Sequence, residues 1–250
     1  MISKIAESLV VSSGYPITQE VQAFSLGCCS QSNVDKVVHS YKNCTIPQFP
    51  DMRMNMFGAV VGEKIVACGG ATSGSNANHC YSLGPLEKAW QFSGAMKETS
   101  RLRGDAIEFT NAGKLFITGG RQGKSPNMVS LKTTEILDID SRTSTFGPDL
   151  PEGLAFHCIL KLNSSTAMII GGYNGYGVVP KTHYFDLNKL TFTPGPNLLT
   201  DRHNHACGIL QTEGKEYIVV AGGETTFGGS SLASTEYLTL DNPDGWKQGE

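Results

Sequence analysis

Two histidines one residue apart, His203 and His205 in the string HNH, come closest to a metal-ligand spacing, because alternate residues of an extended segment point to one side. No carboxylate or cysteine at fixed spacing completes a ligand set, so both read first as part of a loop and the start of a strand. Glu135, Asp138, Asp186 and Glu236 recur on one strand of a repeating pattern and read as a solvated strand face rather than an acid/base pair. Neither GxxxxGK[ST] nor GxSxG occurs, and GGYNGYG at 171–177 follows a strand but opens no helix, which argues against a phosphate loop and a nucleophile elbow. Seven cysteines are an odd count without zinc-type CxxC spacing. Cys68 and Cys80 can face each other across an antiparallel pair, as can Cys28 or Cys29 with Cys44, whereas Cys158 and Cys207 read as small buried hydrophobes at matching strand positions. No metal and no cofactor are expected.

The elements that must position these residues announce themselves as a repeat. Glycine pairs close an apolar strand at Gly69–Gly70, Gly119–Gly120, Gly171–Gly172 and Gly222–Gly223, with first glycines 50, 52 and 51 residues apart. An earlier variant, LVVSSGY, keeps only Gly14. After each pair come a polar loop, a further strand (HCYSLG, TTEILDID, THYFDLN, STEYLTLD) and a large aromatic: Trp90, Phe146, Phe192 and Trp246. Another strand precedes each pair, such as GDAIEFT ahead of KLFITGG. Four short strands in every fifty residues spell an all-β propeller of four-stranded blades packed face to face. The glycines are then geometric, since a residue without Cβ tolerates close backbone approach and positive φ near the crowded axis.

The doublets with Tyr81 and Trp90, Phe146, Phe192, and Tyr237 and Trp246 resemble the kelch repeat across residues 9–249. That resemblance implies a single propeller domain over 1–250, with blades at about 1–50, 51–100, 101–151, 152–201 and 202–250. The first and last of these blades are incomplete. About five are recognisable, as part of a propeller that closes with six in this family. The first unit departs from the pattern at Ser13 and lacks the aromatic, and the fourth lacks the arginine that Arg53, Arg101 and Arg202 supply elsewhere.

Composition narrows the partners. A hydrophobic share of 39%, a charged share of 17%, 29 glycines and 11 prolines describe a turn-rich soluble domain. A net charge of −3 offers no footprint for nucleic acid, and no apolar run is long enough for membrane insertion. The chain as it stands reads as cytoplasmic; an export signal ahead of it would make it extracellular and give the sequons at Asn43 and Asn163 meaning. Oligomeric state is left open.

Specificity is expected on the loops that join second to third strands and on the connectors between blades, which emerge on one face of a rigid scaffold. These carry Arg121, Gln122, Lys124, Tyr173, Asn174, Tyr176, Thr225 and Phe227, with Arg101, Arg103, Arg202 and His203 on the connectors. Exposed Tyr, Phe and Arg suit a protein or peptide partner, because they give large contact area or bidentate hydrogen bonds. The arginines are equally suited to bonding carbonyls around the channel. The resemblance implies roles such as substrate recognition for ubiquitin ligases, actin binding or scaffolding. It also admits an enzyme alternative, a galactose-oxidase-like copper site or another propeller enzyme, and an extracellular carbohydrate- or protein-binding alternative. No Tyr, His and Cys constellation marks such a copper site here, so the chain is read as non-enzymatic.

Overall fold

The computed structural model describes residues 46–72, 77–110, 113–123, 127–241 and 244–249. Residues 1–45, which hold most of the first unit with Cys28, Cys29 and Cys44, lie outside the described residues. Four four-stranded antiparallel sheets make up the described chain and are arranged as a β-propeller. Blade 2 holds β1 (Phe57–Val61), β2 (Lys64–Cys68), β3 (His79–Leu83) and β4 (Gln91–Ala95). Blade 3 holds β5 (Asp105–Phe109), β6 (Lys114–Thr118), β9 (Thr134–Asp138) and β10 (Thr143–Phe146), with a two-residue hairpin of β7 (Arg121–Gln122) and β8 (Val129–Ser130) in its loop. Blade 4 holds β11 (Cys158–Lys161), β12 (Thr166–Ile170), β13 (Thr182–Asp186) and β14 (Thr191–Pro194). Blade 5 holds β15 (Ala206–Thr212), β16 (Lys215–Ala221), β17 (Thr235–Thr239) and β18 (Lys247–Gln248).

Strands such as β6 and β12 are buried on both faces, which is why KLFIT and TAMII read as continuous apolar runs rather than alternating ones. The core lies between blades. One cluster joins Phe57, Val66, Leu115 and Ile117, a second joins Phe116, Ile159, Ile169 and Phe185, and a third joins Met168, Ile170, Val220 and Leu238.

The glycine pairs are the joints between blades. Each second glycine donates its N–H to a carbonyl of the next blade: Gly70 to Arg101 at 2.9 Å, Gly120 to Leu154 at 2.6 Å and Gly172 to Arg202 at 2.9 Å. Each first glycine has positive φ, +57° at Gly171, where a Cβ would stand 2.6 Å from the Arg202 carbonyl oxygen. No side chain fits there. For Gly223 there is no such carbonyl among the described residues, and a Cβ on Gly222 would meet only the Leu232 oxygen at 3.7 Å. The face of β15 beyond it leaves Leu210 53% exposed.

Strand register places Phe57, Asp105, Cys158 and Ala206 at one position and Ala106, Ile159 and Cys207 one residue further on. Successive residues of a strand point to opposite faces, so the first set meets the second across each blade interface. The chemistry of that meeting differs each time. Phe57 and Ala106 share an apolar cluster, the Asp105 carboxylate accepts the Ile159 N–H at 2.8 Å, and Cys158 and Cys207 are joined as a disulfide. The expectation that Cys158 and Cys207 are small buried hydrophobes at matching positions is corrected: the one-residue offset turns the two sulfurs towards each other. Cys68 and Cys80 are directly opposed in the β2–β3 ladder and are also disulfide-bonded, with Cα atoms 4.1 Å apart.

The carboxylate expectation is corrected too. Glu135 and Glu236 are fully buried, whereas Asp138 and Asp186 lie three residues along their strands and cap turns by accepting the N–H of Ser141 and of Asn188 and Lys189. Glu135 pairs with Arg101 at 2.9 Å and Glu236 with Arg202 at 2.7 Å. Each carboxylate also accepts two N–H groups of the incoming connector, Lys97 and Glu98 or Leu199 and Thr200. In blade 2 Tyr81 takes the glutamate position, and its ring lies 5.5 Å from the Arg53 guanidinium, which finds its carboxylate in Asp51. Blade 4 lacks both charges, with Leu154 and His183 at the two positions.

Of the expected outer-strand aromatics, Trp90 and Trp246 are buried and donate their indole N–H to the carbonyls of Pro47 and Pro196, at 3.1 and 3.0 Å. Phe192 stacks on Phe185 at 4.5 Å. Phe146 is corrected: it sits two residues beyond that position and is 57% exposed, and Ser144 takes the place, donating to Glu135 at 2.6 Å.

Candidate functional site at the axial loop face

The connectors and the second-to-third-strand loops meet on one face through a bridge repeated in every described blade: Met54 with Ala71, Leu102 with Arg121, Ala155 with Tyr173 and His203 with Glu224. Two positions per blade therefore face the axis from equivalent backbone. The position after the glycine pair holds Ala71, Arg121, Tyr173 and Glu224. One residue past the connector bridge stand Asn55, Arg103, Phe156 and Asn204, all in the left-handed region, with φ of 62°, 55°, 56° and 57°.

Backbone hydrogen bonds thread these left-handed residues from blade to blade. Arg103 N–H donates to Asn55 at 3.1 Å, Phe156 N–H to Arg103 at 2.8 Å and Asn204 N–H to Phe156 at 2.8 Å. Asparagine adopts this conformation with little strain, but Phe and Arg do so rarely. Their presence there concentrates strain around the axis, as happens at binding sites.

The side chains converge. Arg121 holds its guanidinium carbon 5.3 Å from the Phe227 ring centroid, 5.5 Å from Tyr173 and 5.9 Å from Phe156. Arg103 lies 5.2 Å from Phe156 and donates to the Asn204 side chain at 3.1 Å. His203 stacks on Phe227 at 5.5 Å, with its ring nitrogen Nδ1 2.9 Å from the Glu224 carbonyl oxygen. Tyr173 is steadied by donating its hydroxyl to the Gly175 carbonyl at 2.9 Å. Arg121, Tyr173, Phe227, Arg103 and His203, named from sequence, thus meet at one site, and Phe156 joins them. Phe156 was missed because only the left-handed turn carries its ring to the axis; in an extended strand it would point elsewhere.

The remaining named residues lie around or away from this cluster. Gln122 donates to the Thr99 hydroxyl at 3.1 Å, and Asn174 donates to Glu152 at 3.0 Å while its own oxygen accepts from Tyr176 and Gly177. Tyr176 is 98% exposed at the loop tip, and Thr225 is exposed beside Phe227. Lys124 lies outside the described residues. Arg101 and Arg202 are not on this face at all, being wholly buried in their ion pairs.

His203 and His205 do not share a side, because the left-handed Asn204 between them breaks the alternation of an extended segment. His205 enters the interface with blade 4, near His157 and Arg202, and burial pushes both histidines down to about 3. Their free ring nitrogens have no hydrogen-bond partner, save His157 Nε2, which meets the Thr118 hydroxyl at 2.8 Å. Among the described residues no three His, Cys, Asp or Glu side chains gather to hold a metal ion.

No protein-family model and no curated protein matches the chain. Among solved structures it is similar to YjhT, at 15% identity and a TM-score of 0.69 over 82% of this chain and 67% of that one. A likeness at that identity carries the fold, and the fold it carries is the propeller that the four sheets build.

Proposed function

We propose that this chain is a non-enzymatic, kelch-type interaction module that binds a protein or peptide on its axial loop face. One observation carries the reading: the Arg121 guanidinium stands among three aromatic rings from two other blades, Phe156, Tyr173 and the exposed Phe227. Clustered aromatic and arginine side chains on rigid backbone are the usual anchors of protein recognition, since they lose little freedom on binding and offer both apolar area and directed donors. The propeller contributes stiffness, and the loops contribute the residues that differ from blade to blade.

The test is a comparison of co-purifying partners between the intact chain and a triple variant, Arg121→Ala, Tyr173→Ala and Phe227→Ala, with matched thermal melting to show that both are folded. Partner capture is expected to fall by at least about tenfold, as for removal of interface anchors. An unchanged partner profile would discredit the loop face as the binding surface.

A further inference from the structure

We infer that the partner segment is acidic and seats a single carboxylate on Arg121, with Arg103 beside it. This rests on the peptide-binding reading above and sharpens it.

The buried arginines of the ion pairs provide an internal comparison. Arg101 donates to the Gly119 and Thr133 carbonyls, the Thr133 hydroxyl and Glu135. Arg202 repeats the set with Gly222, Ser234 and Glu236. The fold pairs both terminal nitrogens of each of those forks and leaves only Nε without a partner. Arg121 differs at the terminal nitrogens: its Nε is orphaned like the others, but the rest of its fork has no acceptor either among the described residues. Arg101 and Arg202 show that the fold tolerates an orphaned Nε, but a guanidinium with none of its donors paired keeps its whole fork for an acceptor that the folded chain does not supply.

Its position is fixed before any partner arrives. The Arg121 N–H donates to Leu102 at 2.6 Å, the Leu102 N–H donates back at 3.0 Å, and the β7–β8 ladder pins the other side. Three aromatic rings 5.3–5.9 Å from the guanidinium lower the local polarity and strengthen any charge-assisted bond formed beside them. The charge count selects the ligand. Arg103 and Arg121 bring two positive charges, Glu224 beside Arg103 offsets one of them, and a singly charged planar carboxylate matches what is left. The exposed ring of Phe227, 5.3 Å from the Arg121 guanidinium, then suits an apolar residue flanking the acid.

The experiment uses three degenerate peptide libraries, identical except for a central Glu, Gln or phosphoserine, captured on the intact chain and sequenced by mass spectrometry. About tenfold enrichment of Glu over Gln is expected, the scale of a hydrogen bond to a charged group. That preference should vanish in Arg121→Gln and fall in Arg121→Lys, which keeps the charge and loses the fork. Equal retention of Glu and Gln libraries, preference for phosphoserine, or a Glu preference that survives Arg121→Gln each overturns the acidic-ligand inference and leaves peptide binding standing. Retention of no library overturns both. The Glu-to-Gln ratio on the unaltered chain needs no variant to fold.

Discussion

Arg101 and Glu135 are held by the same fold that leaves Arg121 open, and the difference lies in what each fork meets. A buried ion pair contributes little against a well-packed apolar pair, but removing one partner leaves an uncompensated charge in low dielectric. Blade 4 shows the apolar solution already built into this chain, with Leu154 and His183 where blades 3 and 5 have Arg and Glu. Arg101→Leu alone is therefore expected to cost about 3–5 kcal/mol in urea unfolding. The double variant Arg101→Leu, Glu135→His should cost less than the two single changes added together, because the second change removes the stranded carboxylate. Strict additivity would show that the two side chains act independently and that their contact is incidental.

At the scale of strands and blades, the interface position shared by Phe57, Asp105 and Cys158 gives a titration of its own. Burial pushes the Asp105 carboxyl up to about 7, against the N–H groups of Ile159 and Ala106, which favour the ionised form. With the folded value raised, the unfolded chain ionises first. Stability from this group is complete below about pH 4 and is lost as pH rises through about 7. His157 and His205, held down to about 3, act in the opposite sense, losing stability as pH falls from about 6.5. Comparing wild type with Asp105→Asn cancels the histidines and keeps an oxygen for the Ile159 N–H. The variant's stability relative to wild type should climb between about pH 4 and pH 7 and level off above; a difference flat with pH would mean that the carboxyl titrates normally. Such interface chemistry was poorly legible in the sequence. The glycine pairs and apolar strands spelled out the sheets, because the repeat is written in residue types. Asp105, Glu135, Glu236 and Cys207 were misread or passed over, because which face a strand residue presents depends on a one-residue register that turns and bulges set. Phe146 was taken for the recurring aromatic of its blade for the same reason. At the axial face the loop residues Arg121, Tyr173 and Phe227 stood out by type, whereas Phe156 depended on a backbone angle that no spacing reveals.

For the molecule as a whole, the glycine joints decide how the blades hold together, and blade 5 provides the contrast. Gly171 and Gly222 both have left-handed backbone, so an added methyl costs each about 1 kcal/mol in conformational strain. Beyond that the sites differ. At Gly171 the methyl would press to 2.6 Å from the Arg202 carbonyl of blade 5 and force the two blades apart, whereas at Gly222 the nearest atom is the Leu232 oxygen at 3.7 Å. Gly171→Ala should therefore lower the unfolding midpoint clearly more than Gly222→Ala, since overpacking adds about 1–3 kcal/mol to the backbone term. The comparison also reports on closure. The joint at Gly222 and Gly223 has the shape of the others but no carbonyl from a following blade among the described residues. Should both substitutions prove equally damaging in the full chain, a further strand must fill that joint in solution, and the open side of blade 5 would be a seam between blades rather than the edge of the propeller.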